Sequence, residues 1–488
     1  MFSQLSMITL PFLGQVDLAG SILVVFFICL LAVVGFEFVN GFHDTANAVA
    51  TVIYTKALQP MVAVPWSGFF NFLGVFTGGV AVAMGILKLV PLNELMALPV
   101  KVGACMVLSV LLASIIWNLG TWWLGIPCSS SHTLIGAMIG ATMAFTWYYG
   151  GPGVNWDKAK EIGASLILSP LFGFGAAVLL MLFLKKVVKA ESLFHIPQGE
   201  DRPPLAIRLL LITTCTLVSF FHGSNDGQKG VGLLMLILIA FLPAKFAFDH
   251  SVSNDKILSS LQSASQVIQH VTAGSPADKA QLDSATTQIA AAEAGLASKP
   301  LASVAGSADA PVKEAGLSPA ETFKFRKELQ KLTKTLKALA GNQALTMSSE
   351  DRATLSSSSH NLNNLTEYAP IWVIATISLS LGIGTMIGWK RIVLTIGEKI
   401  GKEHLNYAQG ATAEIVAAGT IGLSTGFGLP VSTTHVLSSG IAGAMVASKG
   451  TNNLNGNTLK NIAMAWILTL PVSILLSLGL FVIFHLFV

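Results

Sequence analysis

Glu37, His43, Asp44, His132, His222, Asp226, Lys229, Glu414 and His435 all lie within or beside long apolar runs of this 488-residue chain. An ionisable group at membrane depth is costly to keep, so such residues point to the handling of ions or protons. Asp44 stands in Gly41-Phe42-His43-Asp44-Thr45-Ala46-Asn47 and Asp226 in Gly223-Ser224-Asn225-Asp226-Gly227-Gln228-Lys229, each near a carboxamide, Asn47 or Asn225. A second pattern also occurs twice: Pro127-Cys128-Ser129-Ser130-Ser131-His132 is answered by Pro430-Val431-Ser432-Thr433-Thr434-His435. Pro ahead of a hydroxyl-rich turn and a new apolar run is a helix-start signal. A helix start offers free N–H groups and the positive end of the dipole, and Ser129, Ser130, Ser131, Ser432, Thr433 and Thr434 add further donors; together these suit an oxyanion. Carboxylates beside an anion repel it unless a cation lies between, so Asp44 and Asp226 predict that Na⁺, H⁺ or a divalent metal enters with the anion. His43, His132 and His435 titrate near neutrality when unperturbed and are candidate proton relays. Glu37 and Glu414 have no acidic counterpart in the other copy and join the cation-coupling candidates.

The spacings identify one duplication. Asp44 precedes Pro127 by 83 residues and Asp226 precedes Pro430 by 204, and the excess is almost the whole of the polar segment 249–367. Ser169-Pro170 follows the first hydroxyl run as Leu470-Pro471 follows the second, so the register continues to the end. Self-similarity on this scale means two copies of one unit. The copies are 1–184 and 205–248 plus 368–488, joined by a basic linker at 185–204 and interrupted in the second copy by 249–367.

Those elements are membrane helices. Hydrophobic residues make up 52% of the chain and charged ones 11%, which excludes a soluble single-core protein, and a formal charge of +4 excludes nucleic acid as a partner. With about 20 apolar residues per crossing, about ten spans are predicted, some broken or re-entrant: 18–56, 61–88, 102–124, 127–147, 162–184, 205–248, 370–389, 408–427, 430–448 and 461–487. The fold class is an all-α polytopic membrane protein with a small helical insertion, in which Phe325, Leu329, Leu332, Leu336 and Leu339 form the main apolar stripe and Ile257, Leu258, Leu261, Ile268 and Val271 a weaker one. About five spans per copy is an odd number, so the copies would insert with opposite topology, as in secondary transporters whose site lies where broken helices meet at the midplane. Lys185, Lys186, Lys189 and Arg202, and then Lys390, Arg391, Lys399 and Lys402, mark cytoplasmic loops, which puts the N-terminus and 249–367 outside. No Lys or Arg precedes Lys56, so the first span reads as retained rather than cleaved. Cys29, Cys105, Cys128 and Cys215 have apolar neighbours and no CxxC spacing, and read as core residues.

GFHDTANAVAT at 41–51, HGSNDGQKG at 222–230, PCSSSHTLIG at 127–136 and PVSTTHVLSS at 430–439 resemble, in order and spacing, the duplicated signatures of the inorganic phosphate transporter (PiT) family, most closely its low-affinity bacterial members. The resemblance implies an inverted-repeat symporter in the cell (inner) membrane. Asp44, Asn47, Asn225, Asp226 and the hydroxyls of 129–131 and 432–434 would form its phosphate and cation sites. Animal Na⁺-coupled relatives typically carry GANDVAN-like motifs, whereas here His43 takes the Asn position and Gly227-Gln228-Lys229 follows the second Asp. Bacterial relatives with the HDTANA motif imply H⁺ coupling and phosphate carried as a neutral complex with a divalent metal such as Mg²⁺, with His43 and Glu37 as proton carriers and arsenate as a second substrate. No resident cofactor is implied, and a homodimer is left open as an assembly. The competing readings are Na⁺-coupled uptake of phosphate or another tetrahedral anion, an intramembrane metallohydrolase built on His43-Asp44, and a receptor sensing through 249–367. The metallohydrolase lacks HExxH and a close multi-His set, and the insertion's bland composition gives a receptor no support.

Overall fold

The computed structural model describes residues 7–10, 13–18, 20–91, 94–95, 98–198, 202–298 and 319–487. Two strands, β1 (Met7–Leu10) and β2 (Gly14–Asp17), pair antiparallel with Met7 opposite Asp17. This hairpin is an addition to the expected all-helical chain, too short to give a period-two signal. Helices follow: α1 (Gly20–Tyr54), α2 (Pro60–Thr77), α3 (Ala81–Leu87), α4 (Val100–Trp123), α5 (Ser130–Tyr149) and α6 (Trp156–Val187). Next come α7 (Leu205–Phe241), α8 (Pro243–Phe246), α9 (Asn254–His270), α10 (Pro276–Ser298), α11 (Pro319–Gly341) and α12 (Ser349–Thr366). The last five are α13 (Ile371–Thr385), α14 (Lys390–Leu394), α15 (Tyr407–Gly426), α16 (Thr433–Lys449) and α17 (Gly456–His485).

Each expected span interval holds a helix. Among the described residues five helices are long and apolar enough to cross a membrane alone, or up to seven spans if each of two bent pairs is counted as one. One such pair is α2 and α3, bent by 73° at Gly78-Gly79. The remaining intervals fall short for a physical reason. α5, α15 and α16 are buried over most of their length, so other helices rather than lipid surround them and they can carry Ser, Thr and Glu. The two long intervals, 18–56 and 205–248, contain unbroken helices of 35 and 37 residues through both Asp motifs. At 1.5 Å per residue such helices are about 50–55 Å long, well beyond a ~30 Å hydrocarbon core.

The chain divides into two compact units. One comprises Met1–Phe26, Asn93–Val100 and Met235–Ala369. Its core joins α9, α10, α11 and α12 through Leu261, Ile289, Leu329, Leu336 and Leu355. The predicted stripe from Phe325 to Leu339 is buried there. A capping box in which Ser348 and Asp351 exchange hydrogen bonds starts α12.

The other unit comprises Phe27–Leu92, Lys101–Leu234 and Pro370–Val488. Its helices interlock across the duplication. A Cβ at Gly41 of α1 would run into the Leu381 carbonyl of α13, and one at Gly384 of α13 into the Phe38 carbonyl of α1. The other copy repeats this: Gly223 of α7 lies against the Asn71 carbonyl of α2, and Gly74 of α2 against the Phe220 carbonyl of α7. Gly41 and Gly223 both stand three residues before their Asp, and Phe38 and Phe220 both six before. The first helix of each copy is therefore clamped, backbone to backbone, by the second helix of the other, the close approach that small residues permit in membranes. The later helices exchange likewise, α5 packing along α17 and α16 along α6. Gly74→Ala and Gly384→Ala are expected to destabilise the protein by about 1–3 kcal/mol or more through overpacking. Gly163→Ala, whose Cβ would meet nothing within 4 Å, should leave the thermal midpoint of the purified protein unchanged.

Candidate functional site

Both hydroxyl runs start helices, as their Pro-led sequences predict. Ser129 is the N-cap of α5 and accepts from the His132 N–H, and Ser432 is the N-cap of α16 and accepts from the His435 N–H. Capping occupies one lone pair of each of these two hydroxyls, and the residues after them face the acids. Ser130 Oγ lies 2.8 Å from Asp44 Oδ2 and 3.2 Å from Asp226 Oδ2. Thr434 Oγ1 donates to Asp44 Oδ1 at 2.9 Å. The two Asp motifs and both hydroxyl-led helix starts thus meet at one place, where Asp44, Asp226, His222, Ser130 and Lys229 are each 1% exposed or less. A hydroxyl has one proton, so Ser130 can satisfy one carboxylate at a time, and the pair requires further positive charge.

Three groups surround that pair. Lys229 Nζ sits 2.7 Å from Asp226 Oδ2 and donates to Ser131 Oγ at 2.6 Å, and Ser131 in turn donates to the Val431 carbonyl at 3.0 Å. His43 Nδ1 is 3.2 Å from Asp44 Oδ1, and its Nε2 is 3.2 Å from Thr121 Oγ1. His222 Nε2 lies 3.6 Å from Asp226 Oδ2 and 3.9 Å from Asp44 Oδ2, too far for hydrogen bonds. The His222 tautomer follows from its other side. Thr385 Oγ1 donates to the Leu381 carbonyl, Asn71 Nδ2 donates to Thr385 Oγ1 at 3.1 Å, and Asn71 Oδ1 then faces His222 Nδ1 at 2.8 Å. An amide oxygen only accepts, so Nδ1 carries the proton and Nε2 is left to bind a metal or a second proton. Asp44, His222 and Asp226 each present one ligand atom, all within 4.8 Å of one another. Two carboxylates and one imidazole are a donor set that suits a divalent cation.

Other sequence candidates stand apart from this cluster. Asn225 donates to Thr425 Oγ1 at 3.0 Å and to the Leu429 carbonyl at 3.1 Å, and its Oδ1 accepts from the Val431 N–H, so it braces the turn before α16. Glu414, fully buried on α15, is bonded by the hydroxyls of Thr51 and Thr214. Glu37 accepts from Asn40 Nδ2 at 3.3 Å and packs against Gly230, where a Cβ would collide with its side chain. The His132 and His435 rings lie 4.6 Å apart, and His435 stacks on Trp466 at 3.9 Å. Thr433 is buried in the first turn of α16. The side chain of Asn47 lies outside the described residues.

His222 and Lys229 stood among the ionisable residues at membrane depth without a specific role, and Asn71 and Thr121 were not among the site candidates. His222 and Lys229 lie four residues before and three after Asp226, the spacings that share a helix face, and that periodicity was the available signal. Asn71 and Thr121 carried no such spacing signal, because their partners are distant in the chain.

Two buried carboxylates that meet at two hydroxyl-led helix starts, inside a bundle of apolar helices, suit a membrane carrier. Comparison with known proteins is specific: the phosphate transporter family (PHO4) matches residues 40–477. The low-affinity inorganic phosphate transporter PitB of Escherichia coli is 39% identical over 491 residues, covering 93% of this chain and 95% of that protein. A probable low-affinity inorganic phosphate transporter of Bacillus subtilis is 28% identical over 446 residues, covering 91% of this chain and 92% of that one. A solved structure described as the sodium-dependent phosphate transporter shares the fold, with a TM-score of 0.55 at 19% identity over 95% of this chain and all of that one. The chain belongs to the phosphate transporter family.

Ser130→Ala removes the hydroxyl that both carboxylates contact. It is expected to reduce phosphate uptake by about 10- to 150-fold, from about 1.5–3 kcal/mol for a hydrogen bond to a charged group. Ser356→Ala, on the exposed face of α12, should match the unaltered protein in the same assay.

Proposed function

We propose that this protein imports inorganic phosphate across the cell (inner) membrane as a neutral complex with a divalent metal such as Mg²⁺, in symport with H⁺. Membership of a phosphate transporter family carries the substrate class. The observation that supports the coupled cargo is the meeting of Asp44 and Asp226 at Ser130, between the N-terminal turns of α5 and α16. A bare phosphate entering there would face two carboxylates. A metal held by Asp44, Asp226 and His222 Nε2 would neutralise them and bridge to the phosphate oxygens, while free N–H groups and hydroxyls of the two helix starts receive the remaining oxygens. Arsenate, with the same shape and charge, would bind the same donors.

The proton would be carried by groups next to the metal seat. His43 connects Asp44 to Thr121 on α4, and buried Glu37 lies one helical turn before Asn40 with Oε1 lacking a hydrogen-bond partner among the described residues. Every group in the cluster is enclosed, so access from either side requires the clamped helices to move. The reciprocal contacts between copies support an inverted repeat, with opposed halves rocking about the shared site. By the Lys/Arg bias the N-terminus and 249–367 would be extracytoplasmic.

The test is ³²P-phosphate uptake into proteoliposomes under an imposed pH or Na⁺ gradient, with and without Mg²⁺. Uptake driven by the proton gradient and dependent on metal is the expected result, and uptake that follows only Na⁺ would replace the proton reading. Asp44→Asn and Asp226→Asn should each lower uptake by at least about 100-fold, because each loses a charge that the cargo must meet. Full activity in either folded variant would leave that residue a structural role.

A further inference from the structure

One of the differences between the two copies changes a charge beside Asp226. Three residues after Asp44 the chain has Asn47, and three residues after Asp226 it has Lys229. The Lys229 side chain is fully enclosed, 2.7 Å from Asp226 Oδ2 and 2.6 Å from Ser131 Oγ. Asp226 Oδ1 has no hydrogen-bond partner among the described residues. Resting on the proposed cation-coupled site, the geometry points to Lys229 as a resident cation: its ammonium permanently fills the place between Asp226 Oδ2 and Ser131 Oγ, so that a free monovalent ion is not needed at Asp226.

The chemistry of the seat supports this. Asp226 Oδ2 on one side and a Ser hydroxyl on the other are oxygen donors of the kind that hold a small hard cation. A tethered ammonium presents the same unit charge with three directed donors and cannot leave with the cargo. With Oδ2 occupied, a second cation on the same oxygen would be repelled at contact distance, whereas Oδ1 stays available to the metal-phosphate cargo. The number of exchangeable cations per cycle is thereby set by a side chain. Lys229 is a specificity-determining residue, and the ion it stands in for is a monovalent cation such as Na⁺.

Lys229→Asn gives the second copy the residue of the first and empties the seat. The experiment compares the purified full-length protein with Lys229→Asn and Lys229→Arg in Na⁺ and in choline at equal ionic strength, reading thermal midpoint and phosphate uptake. The unaltered protein and Lys229→Arg should behave alike in both salts. Lys229→Asn should be stabilised by Na⁺, and its uptake stimulated about tenfold or more, since the orphaned buried carboxylate now needs an ion. If Lys229→Asn can be purified only in Na⁺, the result is the same. Absence of any Na⁺ response in Lys229→Asn, equal stabilisation of the unaltered protein by Na⁺, or a loss of fold that Na⁺ does not reverse overturns the assignment. Because midpoints are read without transport, an absence of phosphate uptake in the unaltered protein would count against the proposed function alone.

Discussion

Two carboxylates enclosed together in a low-dielectric bundle repel each other and lose their hydration, and Asp44 and Asp226 do both around a single hydroxyl, Ser130. Much of the surrounding structure compensates. Thr434 brings a second hydroxyl from α16, Lys229 a full charge from α7, and His43 and His222 two imidazoles. The imidazole of His222 is oriented by a relay through Asn71 and Thr385, on α2 and α13. Five helices besides the two bearing the acids therefore act on the cluster directly or at one remove: α2, α4, α5, α13 and α16. Displacing any one disturbs the charge balance of the whole, so a change of charge at the cluster and a movement of these helices are linked.

The reciprocal clamp supplies the rigidity this balance needs. Gly41 and Gly223 stand one helical turn before their acids, at the places where α1 and α7 touch carbonyls of the other copy. Each acid is thus indexed against the opposite half rather than its own. A rotation at either crossing would carry Asp44 or Asp226 with it, and the shared hydroxyl would register the change.

Much of this could be read from the residues. Pro127 and Pro430 announced helix starts whose N-caps are Ser129 and Ser432, since local hydrogen bonding decides a cap. The Asp motifs and hydroxyl runs announced one site because their order and spacing repeat, and the stripe from Phe325 to Leu339 announced a helix of the insertion through its period. What could not be read depends on tertiary pairing. Nothing near Gly74 in the chain reveals that Phe220 is its neighbour, and nothing near Asn71 reveals Thr385 or His222. Glu414 resembled the other acids by type and depth, yet the structure gives it Thr51 and Thr214 and a place of its own. The hairpin at 7–17 left no mark, because strands of four residues have too few positions to show alternation.

The exchange of partners between copies also sets an order of events during synthesis. When α1 leaves the ribosome its close-packing face at Gly41 has no partner until α13 follows about 340 residues later. At roughly 5–20 residues per second that wait is about 20–70 s. Throughout it, Asp44, His43 and Glu37 must sit in a nascent helix without Ser130 or Thr434 for part or all of the time. Those early acids therefore depend on neutralisation by protonation, on water, or on the insertion machinery, and the insertion at 249–367 lengthens the interval. The first half of this chain is an incomplete object by construction, and its quality control is set by the arrival of the second.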